Sequence, residues 1–141
     1  MKRQFTNLFL AFGFLCVGAI GLQAQSYTLA ADIPFAFHAN GGNLPSGKYV
    51  FQKEVNRDVQ SLRNRQTGRS LFLGVAPQSK VNHASPRLVF HRYGSEYFLS
   101  EIWNDQGTGT HFAASKLEAE LRERKAEAKA ETATVYFASA R

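Results

Sequence analysis

The sequence is nearly free of cysteine. Its 141 residues contain one, Cys16, which lies in an apolar N-terminal segment. If that segment is removed on export, no disulfide can form within the remaining chain. An exported chain of this kind must be stabilised by packing alone, which fits a bacterial envelope better than a disulfide-rich extracellular module.

The first 24 residues have the pattern of a secretory signal. Lys2 and Arg3 precede an apolar run of 15 residues, from Leu8 to Leu22, and "LQAQ" offers a signal-peptidase site after Ala24. A spanning helix needs roughly 18 or more apolar residues, so an uncleaved anchor is the less favoured alternative. Cleavage would leave a single domain of 117 residues, 25–141, in the periplasm or outside the cell and without a transmembrane segment.

Motifs of the common enzyme and metal-site classes are also absent. The sequence has no G-x-S-x-G nucleophile elbow and no histidine pair with ligand spacing. The glycine-rich segment Gly107–Ser115, "GTGTHFAAS", lacks the third small residue and the lysine of phosphate-binding loops. We therefore expect no catalytic residues, no metal and no cofactor. An enzyme would be favoured if His91, Glu101 and His111 converged in a cleft.

Turn residues at short intervals predict a mainly β domain. "DIPFAFHA", Asp32–Ala39, alternates with a period of two and reads as one strand, which Pro34 predicts to be an edge strand or to begin at Pro34 itself. "PQSKVNHASP", Pro77–Pro86, reads as a polar loop, and Gly107–Ser115 reads as a mobile connector. Further strands are predicted at "KYVFQKEV", "VQSLRNR", "SLFLGVA" and "TATVYFAS".

The stretch "LVFHRYGSEYFLSEIW", Leu88–Trp103, predicts a central hairpin. Gly94-Ser95 suits a two-residue type II′ turn, which places Tyr93 opposite Glu96. We expect the pairing of the two strands to continue from there without interruption. Both faces are then apolar, so both are expected to be covered. One face would carry Leu88, Phe90, Leu99 and Trp103, and the other Val89, Phe98 and Ile102.

A helix over residues 115–131 is the predicted cover for the second face. Ser115 and Glu118 form a capping box, and a thin apolar stripe starting with Leu117 and Leu121 is expected to dock on the sheet. A final strand follows. This order predicts a small antiparallel β-barrel or a two-layer β-sandwich with one C-terminal helix before a last strand.

Positive charge is concentrated in the middle of the chain. Residues 48–92 contain nine Lys and Arg against two Asp and Glu, a net charge of +7. Arg57, Arg63, Arg65 and Arg69 are the candidate anion-binding patch, because arginine makes bidentate contacts with phosphate and carboxylate. The partners would be anionic envelope polymers or lipid head groups. The alternative is ordinary solvated surface that protects strand edges.

Two functions outside catalysis stay open. The first is a structural or binding role in the envelope towards anionic components. The second is a small barrel that holds an apolar ligand, which an aromatic-lined internal cavity of ~300 Å³ or more would favour. Nucleic acid is the lesser option as a partner, because export disfavours it and no nucleic-acid motif is evident. The sequence leaves the oligomeric state open.

Three segments together resemble small exported proteins from soil bacteria of the Acidobacteria type. They are "ADIPFAFHANGGNLPSGKYVFQ", "LVFHRYGSEYFLSEIW" and the helix opening "SKLEAEL". The resemblance spans nearly all of residues 25–141, implies export and carries over no functional residue. The shorter "LPSGKYVF" is similar to the strand entry of prealbumin-like and carboxypeptidase-regulatory β-sandwiches, and the strand–helix–strand ending is similar to lipocalin-like barrels. Both imply a β architecture without a function.

We predict that the exported protein begins near Gln25, because Leu22 and Ala24 occupy the −3 and −1 positions of a signal-peptidase site. Mass spectrometry of the envelope fraction should find a chain shortened by 24 residues from the full 141. A full-length chain in the inner membrane would contradict this prediction and indicate an anchored domain.

Overall fold

The computed structural model describes residues 28–53, 60–74, 76–82, 85–124 and 130–138, so the predicted signal segment lies outside the described residues. No helix in these ranges has the length and apolar composition needed to cross a membrane. The strands are β1 (Thr28–Ile33), β2 (Phe37–Ala39), β3 (Gly42–Leu44), β4 (Gly47–Lys53), β5 (Gln60–Asn64), β6 (Ser70–Leu73), β7 (Gln78–Lys80), β8 (Arg87–Tyr93), β9 (Glu96–Trp103), β10 (Thr108–His111) and β11 (Glu131–Tyr136), and the helix α1 is Lys116–Arg124.

These strands form two sheets, and the chain is mainly β as predicted. The small sheet has the antiparallel order β1-β4-β5-β6, and the large sheet runs β11-β8-β9-β10-β7. The β2–β3 hairpin joins the large sheet through one parallel bridge between His38 and Phe98. The two sheets stay separate, which corresponds to the sandwich alternative rather than to the barrel.

The core lies between the two sheets. Gln60 on β5 donates a hydrogen bond from Nε2 to Thr110 Oγ1 on β10 at 2.8 Å, which satisfies two buried polar groups across the sandwich. The buried apolar side chains are Ala31, Ile33, Tyr49, Phe51, Leu62 and Leu73 from the small sheet, and Phe37, Ala39, Leu88, Phe90, Leu99, Ile102 and Phe137 from the large sheet and its flanks.

The segment Asp32–Ala39 is two strands rather than the predicted one. β1 ends at Ile33 in the small sheet, and β2 begins at Phe37 in the large sheet. Pro34 follows Ile33 directly and has no N–H to continue the ladder, so the chain can leave one sheet there. Ile33 and Phe37 are both fully buried. The period of two therefore persists across the break, which explains why the sequence resembled a single strand.

The central hairpin follows the predicted register at its turn and departs from it further on. Pairing runs from Tyr93–Glu96 to Phe90–Leu99, and Gly94 has a φ of 68° as a type II′ turn requires. A β-bulge then leaves Ser100 without a partner and sets Leu88 opposite Ile102. The predicted faces are consequently wrong for two residues: Ile102 packs in the core, and Trp103 lies on the outer face.

Two segments predicted as loops contain strands at the edge of the large sheet. β7 lies in the predicted polar loop and β10 in the predicted mobile connector, and they pair with each other. Gly109 of β10 lies against the indole of Trp103, where an added Cβ would be 2.7 Å from the ring. The glycine therefore provides close packing of strand and ring rather than mobility.

Helix α1 covers the outer face of the hairpin through a polar contact. Ser115 Oγ accepts a hydrogen bond from the Glu118 N–H at 3.2 Å, which is one of the two hydrogen bonds of the predicted capping box. Glu118 is the buried residue of the helix, and its Oε1 lies 2.8 Å from His91 Nδ1. Leu117 is 44% exposed, so the prediction that it docks on the sheet is wrong. Glu131 starts β11, and residues 125–129 lie outside the described residues.

We predict that Phe98→Ala lowers the free energy of unfolding by about 3–5 kcal/mol. The Phe98 side chain is 2% exposed. It lies on the helix-covered face of the hairpin, and its ring stacks on the ring of His38. This loss is a large share of a typical stability of about 5–15 kcal/mol. Denaturant titration would measure it, with Phe72→Ala as the control because that ring is 61% exposed. An unchanged midpoint for Phe98→Ala would mean that the ring is not packed as described.

Candidate functional site

The outer face of the small sheet carries two of the predicted arginines, Arg63 and Arg65. Leu62 and Asn64 of β5 are buried, so Arg63 and Arg65 project from the opposite side of the strand and are exposed. Lys48 on the neighbouring β4 is exposed on the same side. Arg69 follows in the β5–β6 turn and is also exposed. We call this surface, defined by Lys48, Arg63, Arg65 and Arg69, the basic face.

A hydrogen-bonded turn holds two of these cations in place. Asn64 Oδ1 accepts the N–H of Gln66 at 2.8 Å and that of Thr67 at 2.9 Å, and the Asn64 N–H donates to the Arg69 carbonyl at 2.9 Å. Arg65 donates its own N–H to the Lys48 carbonyl at 2.8 Å. Gly68 has a φ of 71°, a conformation that glycine adopts without steric cost. The backbone that carries Arg65 and Arg69 is therefore fixed.

Little negative charge opposes the basic face. Asp32 of β1 is opposite Lys48 in the register and is exposed on the same side. The four ion pairs found among the described residues all involve side chains elsewhere in the molecule. Arg57, the fourth predicted member of the patch, lies outside the described residues. Lys48 was missed as a member because strand pairing, rather than sequence proximity, places it beside the arginines.

One large apolar side chain shares this surface. Phe72 of the edge strand β6 is 61% exposed and is paired with Ser61, while its neighbour Leu73 is buried. Alternation along "SLFL" would have placed Phe72 outside once Leu73 was assigned to the core. The sequence alone did not show which of these leucines would face the core.

A separate polar cluster lies on the outer face of the large sheet. Ser79 Oγ is 2.6 Å from His111 Nε2, and His111 Nδ1 is 3.4 Å from Glu101 Oε1. Trp103 Nε1 donates to the other oxygen of Glu101 at 2.6 Å, and the Arg87 guanidinium lies 5.0 Å from the indole centroid. β7 and β10 bring Ser79 and His111 together. Because both segments read as loops in the sequence, the cluster was not anticipated.

This cluster has the connectivity of a serine–histidine–carboxylate relay, but its Ser79, His111 and Glu101 line neither of the two cavities found among the described residues. A surface cavity of about 230 Å³ lies nearby and is lined by other residues, among them Phe112 and Glu118. His91 does not join Glu101 and His111, because its Nδ1 contacts Glu118 and its Nε2 lies 3.2 Å from Ser100 Oγ. The three residues that would have favoured an enzyme therefore do not converge.

Histidine–glutamate contacts recur across the large sheet. His38 Nε2 is 2.7 Å from Glu96 Oε2, in addition to the pairs formed by His91 and His111. Burial raises the pKa of Tyr93 above its ordinary value, and the nearby Glu118 carboxylate raises it further. Within the described residues, no group of three or more His, Cys, Asp or Glu side chains is placed to hold a metal ion. Each histidine–glutamate contact joins two elements: β2 with β9, β8 with α1, and β10 with β9.

The cavities give little support to an enclosed apolar-ligand site. The 230 Å³ cavity is lined partly by exposed residues such as Asn40 and Pro77 and is smaller than the ~300–1,000 Å³ of typical ligand pockets. A larger one of about 600 Å³ lies between the start of β1 and the end of β11. Five of its nine lining residues are exposed, namely Thr28, Ser85, Asp105, Tyr136 and Ala138, so it is an open groove rather than an internal cavity.

Comparison of the chain with protein-family models, with curated proteins and with solved structures finds no match. Its function is therefore argued from the two surfaces described above. Of these, the basic face has the feature that a binding partner would recognise at a distance, namely an excess of positive charge among the described residues.

Proposed function

We propose that this chain is an exported β-sandwich domain that binds anionic components of the cell envelope through its basic face. The observation that carries the proposal is the clustering of three exposed cations, Lys48, Arg63 and Arg65, on one side of one sheet, with Arg69 exposed in the adjoining β5–β6 turn. Asp32 is the single carboxylate on that side within the described residues. The face therefore has a net charge of about +3, enough to attract an anionic surface.

The energetics favour a role for these cations in binding rather than in folding. An exposed ion pair contributes roughly 0–1 kcal/mol to stability, and none of the ion pairs found among the described residues includes these cations. Near an anionic membrane each Lys or Arg contributes about 1 kcal/mol to binding. Three arginines would then account for about a hundredfold in affinity, since about 1.4 kcal/mol corresponds to a factor of ten.

Export supports the proposal by supplying the partner. The signal-like segment 1–24 would deliver the domain to the periplasm or the exterior, where acidic polysaccharides and anionic lipids are present. The apolar-ligand alternative rests on the cavities, of which the better defined has a volume of about 230 Å³. It becomes the hypothesis to pursue if the basic face proves inert.

We predict that changing Arg63, Arg65 and Arg69 together to Gln weakens binding to anionic vesicles or acidic polysaccharide by about a hundredfold. The melting temperature should stay nearly unchanged, because these side chains are exposed. Wild-type binding should fall as salt rises, since charges are screened over about 8 Å at physiological ionic strength. Co-sedimentation of residues 25–141 at low and high salt measures both effects.

The matched control changes Lys80, Lys116 and Arg124 to Gln. These three cations are also exposed, and they lie on β7 and α1, away from the basic face. The control removes the same amount of charge, so it separates a local patch from the net charge of the protein. Absence of wild-type binding at low salt, or equal losses in both triple variants, would contradict the proposal.

A further inference from the structure

Phe72 distinguishes the basic face from an ordinary charged surface. Its ring is 61% exposed although its strand neighbours Leu71 and Leu73 contribute to the core or pack against it. The strand itself is secured, because Asn40 Nδ2 donates a hydrogen bond to the Phe72 carbonyl at 2.8 Å. The exposed ring therefore sits on a fixed backbone rather than on a loop that could fold back over it.

The ring lies beside one of the cations, Arg63. Phe72 is opposite Ser61, and Arg63 is opposite Ser70, so Arg63 and Phe72 are diagonal neighbours on one face of the β5–β6 pair. Such diagonal positions are ~7–8 Å apart in an antiparallel sheet. One contact area can therefore engage the guanidinium groups and the aromatic ring at the same time.

This combination matches a bilayer interface better than a hydrated polymer. Anionic head groups lie directly above an apolar phase, so cations can bind phosphate while an adjacent aromatic ring enters the acyl boundary. An acidic polysaccharide offers charge without that apolar layer, and the arginines alone would suffice to bind it.

We propose that the partner of the basic face is an anionic lipid surface, and that Phe72 inserts at the boundary between head groups and acyl chains. This inference rests on the proposed function and identifies which anionic component is bound. It assigns electrostatic attraction to Lys48, Arg63, Arg65 and Arg69, and it assigns preference for lipid over polymer to Phe72.

The test compares residues 25–141 with two single variants on three probes. The probes are vesicles of phosphatidylglycerol mixed with phosphatidylcholine, vesicles of phosphatidylcholine alone, and soluble alginate. Phe72→Ser removes the ring from the basic face. Leu117→Ser is the matched control, because Leu117 is an exposed apolar side chain on α1, outside that face.

We expect Phe72→Ser to lower partition onto the anionic vesicles by about tenfold, the effect of removing one partly inserted aromatic side chain. Alginate binding and the melting temperature should not change, and Leu117→Ser should behave like wild type. A Phe72→Trp variant should partition as wild type does. The fluorescence of the added tryptophan should shift to shorter wavelength only on anionic vesicles. The shift can be assigned to residue 72 because Trp103 is buried already.

The results separate the two proposals. If Phe72→Ser and wild type bind anionic vesicles equally while the triple arginine variant does not, the insertion of Phe72 is wrong and the electrostatic function stands. Binding of wild type to alginate without binding to anionic vesicles also overturns the lipid assignment. Failure of wild type to bind any anionic probe at low salt overturns the proposed function itself.

Discussion

Burial of one apolar core between two sheets determines which side of each core-forming strand faces inward. Side chains alternate along a strand, so each inward residue fixes its neighbours outward. On β5 the buried Leu62 sets Arg63 outside. On β9 the same requirement would place Glu101 in the core, and the bulge at Ser100 prevents this by resetting the alternation so that Ile102 is buried instead. Both surfaces described above depend on this packing.

Local pattern was sufficient to predict the features that depend on neighbouring residues. The hairpin register near Gly94 and the Ser115 cap follow from turn and cap chemistry. Features that depend on distant pairing were not predictable. The short strands β7 and β10 are stabilised mainly by each other and by β9, so their sequences resembled loops. The helix docks through Glu118 rather than Leu117. A buried carboxylate requires a partner, and only the folded chain brings that partner, His91, to Glu118, so this contact could not be predicted from the sequence.

The candidate site was partly predictable for the same reason. The charge excess of residues 48–92 indicated arginines with a binding role, and the structure places Arg63, Arg65 and Arg69 near one another with Lys48 added by strand pairing. The exposure of Phe72 depends on which leucines fill the core, and tertiary packing determines which ones do. Charge would bring the domain to an anionic surface from solution, and the ring would select a surface with an apolar layer beneath it.

The most direct test of this account is to find which face of the bound protein touches the vesicle. Residues 25–141 contain no cysteine, so a nitroxide can be attached at Ser70→Cys on the basic face or at Thr132→Cys on β11 of the large sheet, both exposed positions. On anionic vesicles at low salt, the label at residue 70 should lose contact with a water-soluble relaxation agent, and the label at residue 132 should keep it. Equal accessibility of the two labels, or protection at residue 132 alone, would contradict binding through the basic face.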